Sequence, residues 1–182
     1  MQYTYPHTID NGHGEKIIFL RLVPDPAGDW LEIENHVSPN AGPPMHVHHK
    51  QAESLTVVQG RIASQVMGED PKFNGPGETA EFKAGVPHKF WNAGADTLIC
   101  RGWIKPAHNV EYFLTEIYKS TVANGGRPGA FDSAWLMRRY RSEFDMPDIP
   151  VFVKSVIFPL ALFWGKLTGQ HNKFKDAPLP VR

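Results

Sequence analysis

From Glu15 to about Pro106 the chain alternates short β-type runs with turn signals, and that rhythm leaves few folds open. The runs include 16–23, 30–35, 55–58, 62–67, 79–82 and 98–104. Between them stand Pro24-Asp-Pro-Ala-Gly28, the stretch from Ser38 to Pro44, Gln59-Gly60, Gly68-Glu-Asp-Pro71 and Asn92-Ala-Gly94. Many short strands at even spacing, punctuated by Gly and Pro, predict a β-barrel or sandwich. Residues 1–14 are polar and Gly-rich and read as an arm or edge segment. At 182 residues the chain is one domain, or one domain with an appendage.

After Pro106 the period changes. Val110, Phe113, Leu114, Ile117 and Thr121 fall at helical spacing, with Asn109 as the N-cap and Gly125-Gly126 as the stop. A second helix reads from Asp132, as a capping residue, through Trp135, Leu136 and Arg139 to about Phe144. A third begins near Pro150 and runs towards Gly169, with a kink expected at Pro159. Its interior, Val156 to Trp164, is wholly apolar. Three fates suit the stretch 148–169: packing against the barrel or the preceding helices, burial in a homodimer, or peripheral membrane contact. The first two are favoured, because a helix apolar all round is normally buried in protein. Lys154, Ser155, Pro150 and Pro159 interrupt the stretch and argue against a membrane span.

The chemistry-bearing residues are concentrated in two segments. One runs Gly42-Pro-Pro-Met-His46-Val-His48-His-Lys-Gln-Ala-Glu53 and ends at Gly60; the other runs from Gly77 to Asn92 and contains His88. In His-x-His on a strand, alternation puts His46 and His48 on one face. Glu53 follows within reach of a short turn, and a third imidazole arrives later in the chain. Three neutral imidazoles and a carboxylate suit a divalent transition metal. Taken singly, a buried His is more often a hydrogen-bonded core residue and a Glu near a strand start is more often solvated; the joint pattern favours ligation. His49 would point to the opposite face, as a surface residue. His36 and His108 lie outside both segments, and His7, His13 and His171 sit in apparent arms or tails with no role assigned.

These two segments resemble the first and second motifs of the cupin superfamily. The first has a Gly-rich lead-in, His46, His48, Glu53 and Gly60; the second has Gly77, Lys83-Ala-Gly85, Val-Pro-His88 and Asn92. Lys83 stands where the family usually has proline, and Gly42 precedes His46 by fewer residues than is common. Neither is a ligand position. The resemblance implies a mainly β fold: a cupin double-stranded β-helix, or jelly-roll barrel, with C-terminal α-helices. It divides the chain into an arm (1–14), the barrel (15–108), a helical extension (109–170) and a tail (171–182). It also implies one divalent metal (Fe, Mn, Ni, Cu or Zn) on His46, His48, Glu53 and His88.

Two functional readings stay open. One is a metal-dependent enzyme, dioxygenase- or isomerase-like, acting on a small oxygenated organic substrate, with Glu53 as base. The other is a metallated barrel that binds or senses a small ligand without turnover. Phe90 shares the strand face of His88 and is the candidate substrate contact, while Trp91 points the other way; for Phe90, Trp91 and Trp103 alike a place in the core is the alternative. Met45 and Val47 should face away from the metal into packing.

Composition narrows the partners. Lys+Arg and Asp+Glu are both 19, so no basic excess advertises a nucleic-acid partner. The only cysteine, Cys100, excludes an intramolecular disulfide and suits a reducing cytoplasm. The first residues lack a basic and apolar leader, so no signal peptide is expected and the location expected is cytoplasmic. A homodimer is the expected assembly.

Overall fold

The computed structural model describes residues 3–182. Ten strands lead the chain: β1 (His7–Asp10), β2 (Glu15–Val23), β3 (Trp30–Val37), β4 (Val47–His48), β5 (Ala52–Gln59), β6 (Ile62–Val66), β7 (Lys72–Asn74), β8 (Thr79–Phe82), β9 (His88–Asn92) and β10 (Leu98–Lys105). Then come α1 (Val110–Ala123), α2 (Ala130–Arg139), a short strand β11 (Phe144–Asp145) and α3 (Phe158–Leu167). A six-stranded sheet has the order β1-β2-β3-β10-β5-β8, and a three-stranded sheet the order β7-β6-β9. Every pairing is antiparallel. A backbone bridge between His46 and His88 links the β4 segment to β9. The fold is therefore mainly β with C-terminal helices, as the strand rhythm predicts, and the arm contributes edge strand β1.

Alternation sorts the core. On β3, Leu31, Ile33, Asn35 and Val37 point inward while Glu32, Glu34 and His36 are half-buried. Phe19, Leu55, Ile62 and Leu98 add fully buried side chains from four further strands. Helix α1 joins the same cluster through Val110, Phe113 and Tyr118, and α2 through Phe131, Leu136 and Met137. Burial of such side chains contributes roughly 1.5–3 kcal/mol each.

The helical region departs from expectation in three places. Asn109 precedes α1 but makes no side-chain cap; its Nδ2 instead donates to Glu143 Oε1 at 2.7 Å and to the Leu179 carbonyl at 3.0 Å. Asp132 does not cap α2, which begins at Ala130; buried in the first turn, it accepts from Ser120 Oγ at 2.6 Å and pairs with Lys173. α2 ends at Arg139, well short of Phe144, because Phe144-Asp145 form strand β11 against His48 and Val47. Pro159 cannot donate into the preceding turn, and just before it the helix widens into a π-helical turn, Val153–Ile157, while its flanks keep helical dihedrals. Gly169, with φ +76°, closes this element.

Segment 148–169 is only partly packed. Phe158 and Leu162 touch the core, and Gly165 lies flush on Phe131, where an added Cβ would come within 2.0 Å of the ring. The opposite face is open: Phe152 is 63%, Leu160 52%, Trp164 61% and Leu167 63% exposed. Among the described residues no helix is long and apolar enough to cross a membrane.

Candidate metal centre

His46, His48, Glu53 and His88 converge: each offers one ligand atom, and these atoms all lie within 4.8 Å of one another. Reciprocal backbone bonds join His46 and His88, N to O at 2.9 and 2.8 Å, and hold the two segments side by side. Gly42 permits this approach, since a Cβ there would lie 2.2 Å from the Phe90 carbonyl oxygen. The turn 83–86 forms with Lys83 in place: Val86 N donates to Lys83 O at 3.2 Å, and Gly85 takes φ +78°. Packing aims the rings. Phe82 stacks on His88, with centroids 4.0 Å apart and 8° between planes, and Phe144 of β11 meets His48 edge-on at 5.5 Å. His49, just past β4, is exposed.

The donor set fits a cation. His46 Nδ1 donates to the Pro44 carbonyl at 2.9 Å and His88 Nδ1 to the Val86 carbonyl at 2.8 Å, since a carbonyl can only accept. Both rings are thereby held as Nδ1–H tautomers with Nε2 free, the arrangement that backbone carbonyls impose on metal-binding histidines. His88 Nε2 then faces Glu53 Oε2 at 3.4 Å. In the neutral ring these are two acceptors facing each other, and a positive charge between them resolves the conflict. His48 Nδ1 is buried with no hydrogen-bond partner.

Electrostatics point the same way. Burial, helped by neighbouring imidazoles, lowers His46 to about 4 and His48 to about 3, which keeps both neutral and able to ligate near neutral pH. Burial also works to raise the Glu53 carboxyl, but the adjoining imidazoles of His88, His48 and His46 outweigh it, and the group is held below its ordinary value. Three neutral imidazoles and one carboxylate are the hard-to-intermediate donors that suit first-row divalent ions.

A cavity of about 580 Å³ opens beside this cluster. Its walls are largely apolar: Ile17, Ile33, Phe90 and Ile104 from strands, with Phe113, Leu114, Ile117 and Met137 from helices. Phe90 is buried, 3% exposed, on that wall; Trp91 and Trp103 are half-buried. Met45 and Val47 are buried. Polar residues absent from the motifs also line the space, Glu15, Asn35 and His13 among them. Glu15 is buried beside Tyr118, and burial raises its carboxyl to about 7. Asn35 is buried with its Oδ1 unpartnered. His13, from the arm, also reaches the wall. Only Asn35 left a trace in the sequence, as a polar residue on the inward phase of an otherwise apolar alternation.

Comparison with known proteins agrees with this geometry. Residues 34–101 match the cupin domain family model. Over 109 residues the chain is 30% identical to a probable oxidoreductase, virH, of Hypocrea virens, covering 55% of this chain and 48% of that protein. Over 98 residues it is 26% identical to the oxidoreductase iacF of Pestalotiopsis fici, covering 49% and 48%. The chain thus spans about half the length of the curated relatives it matches. Among solved structures, KdgF from Halomonas sp. is 18% identical, with a TM-score of 0.49, over 58% of this chain and 92% of that one.

Proposed function

Because the chain carries a cupin domain whose four motif residues meet at one point, we propose that it is a metal-dependent enzyme acting on a small oxygenated organic substrate. His46, His48, Glu53 and His88 would hold one divalent transition metal: Fe, Mn, Ni, Cu or Zn. When bound there, the metal supplies Lewis acidity and, if redox-active, a place for dioxygen chemistry. The single observation that carries the reading is the pair of facing acceptors, His88 Nε2 and Glu53 Oε2, with two further imidazoles alongside. The oxidoreductase names of the two relatives support a redox reaction, dioxygenase-like, over isomerisation.

This chain's own residues take distinct roles. Glu53, buried and held in its ionised form, is assigned as the proton acceptor on the metal side of the cavity. Phe90 is assigned as the apolar contact that shapes the substrate's seat. The reading assigns a cytoplasmic location, which suits the lone buried Cys100. It assigns a homodimer as the assembly.

Metal analysis of protein purified without a chelating tag, followed by oxygen uptake against phenols, diketones and thiols, tests the reading. His48→Ala should remove most of the metal, His49→Ala little, and Phe90→Ala should weaken substrate while sparing metal. Equal metal loss at positions 48 and 49 refutes the ligand assignment. Tightly held zinc without oxygen uptake favours the binding module instead.

A further inference from the structure

The cavity has a second polar end that the metal ligands do not use. Asn35 is 3% exposed, and the neighbouring inward side chains of β3, Leu31, Ile33 and Val37, are apolar. Its Oδ1 has no hydrogen-bond partner, although its residue lines the cavity. A buried amide oxygen without a donor is costly, and native proteins rarely leave one so unless something else completes it. On β2, Ile17 pairs with Asn35 and Glu15 with Val37, so Glu15 stands one inward position along on the adjacent strand. Glu15 lines the same cavity, as does Tyr118 from α1, which lies beside it. The cavity wall is largely apolar, with Ile17, Ile33, Phe90 and Ile117 among its residues, and Arg127, Ser133 and Asp145 add polar groups to it.

We propose that Asn35, flanked by Glu15 and Tyr118, is a substrate-anchoring site that accepts a hydrogen bond from a hydroxyl remote from the reacting oxygen. The substrate class follows from the shape: an apolar, ring- or chain-built body with an oxygen function at each end. One end faces His46, His48 and Glu53, and the other donates to Asn35 Oδ1. This inference rests on the metal-dependent reading for the near end only. A cavity of about 580 Å³ is of the size that encloses drug-sized ligands, and a compound of a few heavy atoms would leave most of it unfilled. Glu15 adds a choice of role, because burial raises its carboxyl to about 7 and lets it donate or accept near neutral pH. A site built to hydrogen-bond a hydroxyl discriminates strongly against the analogue that lacks it, since the buried group is then left unpaired.

The test is calorimetric binding of naphthalene, biphenyl and stilbene skeletons, each carrying one terminal hydroxyl or two, to the purified full-length protein. Wild type should favour the two-hydroxyl form of at least one skeleton by roughly tenfold to hundredfold. Asn35→Leu should abolish that preference, leave one-hydroxyl binding within about twofold, and keep Tm and metal content at or above wild type, because it replaces an unpaired amide by an isostere. Asn35→Asp, which retains the acceptor, should preserve the preference. A purely structural Asn35 would instead move both ligand forms together. If no skeleton shows an Asn35-dependent preference, the site is refuted. Metal analysis of the same samples separates the two ideas: a wild type that holds no metal yet prefers two hydroxyls through Asn35 sinks the enzyme reading and leaves this one standing.

Discussion

Glu15 shows how far burial alone can change a side chain's chemistry. Its carboxyl titrates at about 7 in the folded chain against 4.5 when exposed. Between those values the folded state keeps a proton that the unfolded chain has released, so stability falls as pH rises through that window. His46 and His48 act in the opposite sense in metal-free protein. The unfolded chain binds protons below about 6.5 that the folded one refuses down to about 4 and 3, so stability falls as pH drops through that range. Glu15→Gln keeps the side chain's size and removes only the first effect. Its stability advantage over wild type, measured by denaturant unfolding of metal-free protein, should be small near pH ~5 and grow towards pH ~8, approaching about 3 kcal/mol. An unchanging gap would show that Glu15 does not titrate there. The contrast with the clustered residues His46, His48 and Glu53 explains what was legible at this scale. His46, His48 and Glu53 lie within one short stretch, so strand alternation and a turn bring them together. Glu15 and Tyr118 meet only because α1 folds back over β2, and no local spacing records that contact.

Elements show the same division. The positions of β2, β3, β5, β6, β8 and β10 were readable within a residue or a few, because each is a β-rich run bounded by Gly, Pro or Asn. β11 was not, since Phe144-Asp145 carry no strand signal of their own and are extended only by pairing with Val47 and His48. The pairing couples the helical extension to the His46–His48 hairpin: His49 N donates to Glu143 O at 2.7 Å, and Glu143, fully buried, also receives Asn109 and Val181. On the other side of the hairpin, Gly42 sets how closely it approaches β9. Gly42→Ala forces a Cβ against the Phe90 carbonyl and should cost about 1–3 kcal/mol. In a chain of this length that is a fall in Tm of roughly 2–12 °C, with lower metal occupancy because His46 shifts with the segment. Gly75→Ala meets nothing closer than the Glu78 carboxylate at 3.8 Å and serves as the control. Equal Tm for the two variants would mean that the Gly42 contact is not a constraint.

At the scale of the whole molecule, the outer face of residues 151–167 stands out as the largest apolar surface left uncovered on the helical extension. Phe152, Val156, Leu160, Phe163 and Leu167 recur at spacings of four, four, three and four, all are exposed, and together they form one stripe. The sequence shows an element apolar all round; it does not show that Gly165 and Phe158 would use up only its inner side against α2 and the core. A stripe of this extent rarely stays in water. Self-association through a two-fold axis covers both copies at once and needs no other partner. Membrane binding is the weaker reading, because two of the lysines that follow or interrupt the stripe are already paired, Lys154 with Asp145 and Lys173 with Asp132. Anchoring to anionic lipid through charge calls for a larger free basic cluster. Replacing Leu160, Phe163 and Leu167 together by Gln leaves the inward Phe158, Leu162 and Gly165 untouched. Sedimentation should show wild type as a dimer and the triple variant as a monomer, with metal content unchanged. A wild type that is monomeric, and that pellets with phosphatidylserine vesicles while the variant does not, would assign the stripe to a lipid surface instead.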